Sequence, residues 1–151
     1  MIENIYNYLY EYGFNKSEID IIEKENDDIF YATLDEVEKN INFLESKQLN
    51  KEDIVRIVKK NPFVLTEKNN RLQELNEIYN VVLRFDYEEL IYVLKNNPEA
   101  YTISPIELQK IIEYMGVYGY GIDYIKKIIL KIPQILSMTL DEFKEAVNFN
   151  S

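Results

Sequence analysis

The stretch IVRIVKKNPFVLT, residues 54–66, decides the fold because it joins an amphipathic helix to a proline stop. Ile54, Ile57 and Val58 recur at positions i, i+3 and i+4, which places them on one apolar face of a helix. Pro62 has no N–H and disfavours helical geometry in the residue before it, so the helix is expected to end there. An apolar pair follows the proline.

The same pattern returns along the chain about every 35 residues. Pro62, Pro98 and Pro133 lie 36 and 35 residues apart, and Asp27 takes the equivalent position 35 residues before Pro62. Six apolar columns stay in register with these four positions, which predicts an internal repeat. In chain order the columns contain Ile19, Ile54, Leu90 and Ile125; Ile22, Ile57, Val93 and Ile128; Phe30, Leu65, Tyr101 and Leu136; Val37, Leu72, Leu108 and Phe143; Phe43, Ile78, Tyr114 and Phe149; and Phe14, Leu49, Phe85 and Tyr120.

Helix starts repeat in the same register. The first helices are expected to begin after N-cap residues that are followed three positions later by an acid, namely Asn15, Asn50 and Asp86, with Gly121 as a weaker cap. The second helices begin with capping boxes at Thr33, Ser104 and Thr139. In the second copy Lys68 takes the cap column, so Thr66 is expected to cap instead. Gly116 is expected to end the second helix of the third copy.

These signals predict an all-α fold, a right- or left-handed α-solenoid of four helix-turn-helix repeats of about 35 residues. Residues 1–151 are expected to form one helical-repeat domain with repeats at about 14–48, 49–84, 85–119 and 120–151. Predicted helices cover 16–25, 34–46, 51–60, 69–80, 87–96, 105–115, 122–131 and 140–148. Helix 2–12 is expected to cap the N-terminal end in place of a preceding repeat.

The repeat resembles the mitochondrial transcription termination factor (mTERF) family. The likeness is carried by the segments IVRIVKKNPFVLT (54–66), IKKIILKIPQILS (125–137) and LIYVLKNNPEAYT (90–102), and it covers nearly the whole chain. The resemblance implies a left-handed α-solenoid with two α-helices and a 3₁₀ turn in each repeat. It also implies nucleic-acid binding along a basic groove, or a role in organellar gene expression.

Composition excludes several classes of functional site. The chain has no cysteine or histidine, so disulfides, Cys/His zinc sites and Ser-His or Cys-His catalysis are excluded. We therefore expect no catalytic residue, no cofactor, no metal and no enzymatic activity. The N-terminus lacks the basic start of a signal peptide, and no apolar run approaches a membrane span, so a cytoplasmic protein without a membrane partner is expected.

A candidate binding ridge runs along the polar faces of the predicted first helices. It consists of Arg56, Lys59, Lys60, Tyr92, Lys95, Lys127 and Lys131. Lys and Arg neutralise phosphates and an exposed Tyr stacks on bases, so the ridge fits nucleic acid. The alternative is that cations near helix C-termini complement the helix dipole and lie in water. Among the thirteen tyrosines, Tyr8, Tyr79, Tyr114 and Tyr120 fall in core columns, whereas Tyr87, Tyr92, Tyr118 and Tyr124 are expected to be exposed.

Charge is distributed unevenly. The net charge is −10, and residues 1–50 hold 12 acidic and only 4 basic residues. Such a field opposes binding of nucleic acid at long range. The favoured hypothesis is a non-enzymatic binding module that engages a protein partner. The alternatives are a nucleic-acid-binding protein of the transcription-termination-factor type and an acidic inhibitor of a nucleic-acid-binding protein.

Overall fold

The computed structural model describes residues 2–147, and within them the chain is helical without a strand. The nine α-helices of this described part are α1 (Ile2–Tyr12), α2 (Lys16–Glu25), α3 (Leu34–Glu45), α4 (Lys51–Lys60), α5 (Asn69–Glu77), α6 (Tyr87–Asn96), α7 (Pro105–Val117), α8 (Ile122–Lys131) and α9 (Leu140–Ala146). None of the helices in this part of the chain is long and apolar enough to cross a membrane. The all-α prediction is confirmed, and α1, α2, α4, α6 and α8 have the predicted bounds.

Side-chain caps explain why the helices start where they do. Asn15 and Asp86 form full capping boxes at α2 and α6, and Thr139 does so at α9. Asn50, Thr33 and Ser104 accept the N–H of the third residue of their helices. Gly121 precedes α8 without a side-chain bond.

Two predictions about helix ends are wrong. Thr66 does not cap α5, which begins at Asn69; its hydroxyl instead accepts a hydrogen bond from Asn26 Nδ2 at 3.0 Å. Gly116 does not end α7, which continues to Val117; Gly119 takes the left-handed conformation instead, with φ of 88°. Helix α9 ends at Ala146, before the predicted residue 148, which lies outside the described residues together with Phe149.

A short 3₁₀ turn joins the first helix of each repeat to the second. The turns are Asp27–Tyr31, Pro62–Leu65, Pro98–Tyr101 and Pro133–Ser137. Three begin with proline at the position where its missing N–H costs nothing. The first begins with Asp27 and nevertheless takes the same form.

The apolar columns form the core, with a few displacements. Ile54, Val93, Leu72 and Leu136, for example, are buried to 0% exposure. Phe30 is a wrong prediction, because its ring is 48% exposed, although Ile29 before it is buried like the equivalent residues Val64, Ala100 and Ile135. Turn length does not account for this difference, because the turn Pro133–Ser137 is as long as Asp27–Tyr31 and buries Leu136. In the last repeat Ile128 is half-buried and Ile129 is fully buried.

The chain divides into two compact units between Asn70 and Arg71. In the first unit α1 packs against α2 and α3, and α3 packs against α4. Helix α1 thus contacts the first and the second helix of the repeat that follows it, and its role as an N-terminal cap stays a prediction. In the second unit α7 packs against α8 and α9, and α6 contacts the turn Pro133–Ser137. The prediction of one domain over 1–151 stays a prediction.

A buried asparagine joins the two repeats of the first unit. Asn26 lies at the end of α2 with 0% exposure, and its Nδ2 donates to the carbonyl of Pro62 at 3.0 Å and to Thr66 Oγ1. Its Oδ1 accepts the N–H of Asp28 and so starts its own 3₁₀ turn. The amide of Asn26 thus forms hydrogen bonds both within its own turn and to the turn of the next repeat.

The second unit contains the same junction one step on. Asn97 Nδ2 donates to the carbonyl of Pro133 at 2.9 Å and to Ser137 Oγ at 2.7 Å. Asn97 Oδ1 accepts the N–H of Glu99. Because a buried amide without partners would be costly, the side chain selects this single arrangement of the two turns.

The one irregular spacing between repeats coincides with a π-helix. Pro62 and Pro98 lie 36 residues apart, one more than the other steps, and α5 continues into a π-helix over Ile78–Val82. The N–H of Leu83 bonds to the carbonyl of Ile78, five residues back. A π-helix accommodates an inserted residue inside a helix, so this segment absorbs the extra residue of the second repeat. It also corrects the predicted helix 69–80.

Candidate functional site

Helix α4 carries three ridge cations on one exposed face. Arg56, Lys59 and Lys60 have the spacing i, i+3, i+4 that brings side chains together, and all three are exposed. All three belong to the C-terminal half of α4, so they also complement the negative end of the helix dipole. The predicted exposure of this part of the ridge is confirmed.

Two of these three cations have acidic neighbours. Arg56 Nη1 lies 3.5 Å from Asp53 Oδ1, and Lys59 Nζ lies 3.9 Å from Glu18 Oε2 at the start of α2. Both pairs are long and their cations are half-exposed, so each pair contributes only about 0–1 kcal/mol, although the two carboxylates are largely covered. Lys60 makes no ion pair within residues 2–147 and is the most available charge of the three.

The second unit places the other ridge residues on α6 and α8. Tyr92 and Lys95 are exposed on α6, and Lys127 and Lys131 are exposed on α8. The ring of Tyr92 is 48% exposed, enough for one face to stack on a base. Lys127 and Lys131 have no ion pair among the described residues.

The sequence did not single out Lys126, a cation that the structure places in a contact between two helices. Lys126, beside Lys127, lies 2.7 Å from Glu89 Oε1 and donates to the carbonyl of Arg84 at 2.9 Å. It therefore ties α8 to the start of α6 and leaves Lys127 as the outward charge. The alternation of Lys126 and Lys127 around the helix was the only signal in the sequence.

The exposure of the tyrosine side chains agrees only in part with the prediction. Tyr87, Tyr92, Tyr118 and Tyr124 are exposed, as predicted. Tyr79 is buried and its hydroxyl donates to the carbonyl of Ala100, and burial raises the pKa of Tyr79.

Three tyrosines that were predicted in the core, Tyr8, Tyr114 and Tyr120, are only half-buried. A tyrosine can cover the core with its ring while its hydroxyl reaches water, which accounts for this position.

The acidic N-terminal third is spread over α2, the turn Asp27–Tyr31 and α3. Asp27, Asp28 and Asp35 are exposed, and Lys39 pairs with Asp35 at 3.1 Å. Across residues 2–147 no group of three or more acidic side chains is arranged to hold a metal ion.

Comparison with known proteins identifies the repeat. The mTERF family model matches residues 1–150 of this chain. The chain belongs to the mTERF family. No curated protein matches it. The resemblance drawn from the proline-centred segments is confirmed over almost the full length.

The mTERF assignment accounts for the architecture and indicates a class of function. The family implies a helical-repeat solenoid, in agreement with the helices and turns described above. mTERF proteins are helical-repeat binding modules that are generally linked to nucleic acid. That the ridge is continuous over all seven residues stays a prediction.

Proposed function

We propose that this mTERF chain is a non-enzymatic module that binds nucleic acid through the ridge. The observation that supports this most is the exposure of Lys60, Lys127 and Lys131 without an acidic partner in the described residues, with Tyr92 exposed on α6. Lysines supply phosphate contacts and a tyrosine supplies a stacking face.

Net charge sets the expected affinity. A charge of −10 opposes the approach of a polyanion, and the acidic N-terminal third contributes most of that charge. We therefore expect binding to generic DNA or RNA no tighter than about 10⁻⁴–10⁻⁶ M at physiological salt. Each phosphate neutralised adds about 0.9 to the salt slope on duplex DNA and about 0.7 on a single strand.

The test is a fluorescence-anisotropy titration with mixed-sequence duplex DNA and single-stranded RNA at about 50 and 150 mM salt, a range over which phosphate contacts weaken strongly. Lys60→Glu, Lys127→Glu and Lys131→Glu are compared with Lys68→Glu, which changes the net charge equally at an exposed position outside the ridge. Losses confined to the ridge variants support the proposal. Equal losses in all four variants would show that only net charge matters and would contradict a ridge site.

A protein partner remains a second candidate. It is favoured by a separate observation, an apolar groove with an acidic rim in the second unit. The groove and the ridge are lined by different residues, so both functions are testable in one chain.

A further inference from the structure

A groove runs along the second helices of the second unit, between the π-helix and α7. Its apolar lining is Val81, Val82 and Ile106, with Pro105 and Gln109 completing the wall. The cavity has a volume of about 340 Å³. An adjoining recess shares Val82 and Gln109 and extends the groove along α7 to Ile112 and Glu113.

The groove owes its apolar edge to the inserted residue. The π-helix Ile78–Val82 leaves Val81 65% exposed and Val82 39% exposed. In the other copies the corresponding step contains one residue fewer, so the stack of repeats does not require this geometry. π-helical turns are rare and are frequent at functional sites.

Ile106 supplies an independent reason to regard the groove as built for contact. The side chain is 63% exposed at the start of α7. The same position of the repeat is polar in the other copies, where it holds Asp35, Asn70 and Asp141. An exposed isoleucine at a position that is otherwise polar does not serve the fold of the repeat. Together with Val81 and Val82 it forms an apolar patch typical of an interaction site.

Charge indicates what the groove would bind. Glu74 and Glu77 line it, Glu113 lines the adjoining recess, and neither lining contains a Lys or Arg. None of these three carboxylates forms an ion pair within the part of the chain that the structure describes. An apolar floor with an unpaired acidic rim is complementary to apolar side chains that are flanked by cations.

We propose that this groove docks an amphipathic helix of a partner protein, with its apolar face on Val81, Val82 and Ile106 and its Lys or Arg side chains on the glutamates. Helix-in-groove recognition uses apolar anchors at i, i+3, i+4 and i+7, which suits a shallow apolar cleft between two helices. This inference rests on the second candidate function and is independent of nucleic-acid binding by the ridge. A single helix on a cavity of about 340 Å³ makes a small interface, so we expect a weak and transient contact.

The probe is a labelled helical peptide of about 14 residues with Leu at i, i+3, i+4 and i+7 and Lys at the remaining positions, a length at which isolated helices become marginally stable. A second peptide carries Glu in place of every Lys. Both are titrated against the full chain by fluorescence anisotropy at about 150 mM salt, where long-range attraction is screened beyond roughly 8 Å. We expect the Lys peptide to bind and the Glu peptide not to bind. Binding of the Lys peptide should change the NMR shifts of Val81, Val82 and Ile106 most.

Variants decide whether the groove is responsible. Ile106→Asp introduces the residue type of the other copies and should weaken the Lys peptide about tenfold, whereas Val117→Asp, at an exposed valine outside the groove, should leave it unchanged. Glu77→Lys should weaken binding, whereas Glu88→Lys, of equal charge change, should not. Deletion of Val81 should restore an ordinary α-helix, keep the helical circular dichroism and abolish peptide binding.

Several outcomes would overturn the proposal. Equal binding of both peptides, or equal effects of Ile106→Asp and Val117→Asp, would show that the groove is not the site. Sedimentation that reveals a dimer lost on Ile106→Asp would assign the groove to a second copy of the chain. The ridge variant Lys127→Glu should leave peptide binding unchanged, so failure of the groove and failure of the nucleic-acid proposal give different patterns.

Discussion

The two junctions within the units use the same chemistry on different sequences. In the first unit Asn26 reaches the carbonyl of Pro62 and the hydroxyl of Thr66; in the second Asn97 reaches Pro133 and Ser137. The residue after the asparagine differs, because Asp27 stands where the second unit has a proline. The turn forms in both units. A buried asparagine, rather than the proline, is therefore the common determinant of these two junctions.

The difference appears in what the turn buries. With Pro98 at its start, the turn Pro98–Tyr101 buries Tyr101 to 1% exposure. With Asp27 at its start, the turn leaves Phe30, at the position of Tyr101, 48% exposed. All three turns that begin with proline, whether of four or five residues, bury the residue three positions after it, namely Leu65, Tyr101 and Leu136. The exposed ring of Phe30 therefore goes with the absence of proline and not with the length of the turn.

The largest expected effect tests the core behind each turn. Leu65→Ala in the first unit and Leu136→Ala in the second each remove a side chain with 0% exposure, so each should destabilise the protein by about 2–5 kcal/mol. Urea denaturation followed by circular dichroism measures the loss. Losses under about half a kcal/mol would be typical of surface positions and would show that the repeat register is wrong.

Removal of the asparagines should have the next largest effect. Asn26→Ala and Asn97→Ala each leave a buried carbonyl without its donor, which costs about 1–3 kcal/mol. Asn96→Ala is the matched control, because its side chain is exposed and bonds only within its own helix to the carbonyl of Tyr92. Urea melts of the three variants decide the comparison. If Asn96→Ala costs as much as its neighbour, the junction is not what stabilises the second unit.

Helix caps are expected to have a smaller effect that is equal in the two units. Ser104 accepts the N–H of Glu107 at 3.3 Å, and Thr33 accepts that of Glu36 at 3.2 Å. Ser104→Ala and Thr33→Ala should each cost about 0.5–2 kcal/mol, since each leaves a helix N–H without its partner. Thermal melts of both variants are compared with Ser104→Thr, which keeps the cap and should stay near the parent protein.

Local signals in the sequence predicted most of the fold. Helices α4 and α6 begin after side-chain caps and end before a proline turn, so their bounds follow from cap chemistry and proline geometry. Helix α2 has the cap without the proline, and α8 has the proline without a side-chain cap. The π-helix could not be predicted in this way, although the extra residue between Pro62 and Pro98 was its signal. Which element absorbs an inserted residue depends on packing of the whole repeat rather than on local propensity.

The candidate sites were predictable to different degrees. Exposure of the ridge followed from helical periodicity, because Lys59 and Lys60 lie opposite an apolar face. The ion pair of Lys59 with Glu18 did not follow, since it joins residues from successive repeats. The groove beside Ile106 was missed because its lining comes from two helices and from the π-helical turn. The one signal in the sequence was Ile106 itself, an apolar residue at a position that holds Asp35, Asn70 and Asp141 in the other copies.

The smallest expected effect concerns a column of left-handed residues just before each repeat. All residues with positive φ in the described part of the chain fall in this column: Gly13 at 132°, Gln48 at 62°, Arg84 at 55° and Gly119 at 88°. A side chain in this conformation costs about 1–2 kcal/mol, which glycine avoids at some expense in unfolded-state entropy. Gln48→Gly in the first unit and Arg84→Gly in the second should therefore each stabilise the protein by about 0.5–1 kcal/mol.

The reciprocal changes complete this test. Gly13→Ala and Gly119→Ala should each destabilise by about 1 kcal/mol through the backbone alone, because a Cβ at either glycine would meet no atom within 4 Å. Lys126 donates to the carbonyl of Arg84, a group that glycine keeps, so Arg84→Gly should gain as much as Gln48→Gly. Urea melts measure all four changes. A loss on Arg84→Gly beside a gain on Gln48→Gly would show that the side chain of Arg84, and not its conformation, matters in the second unit.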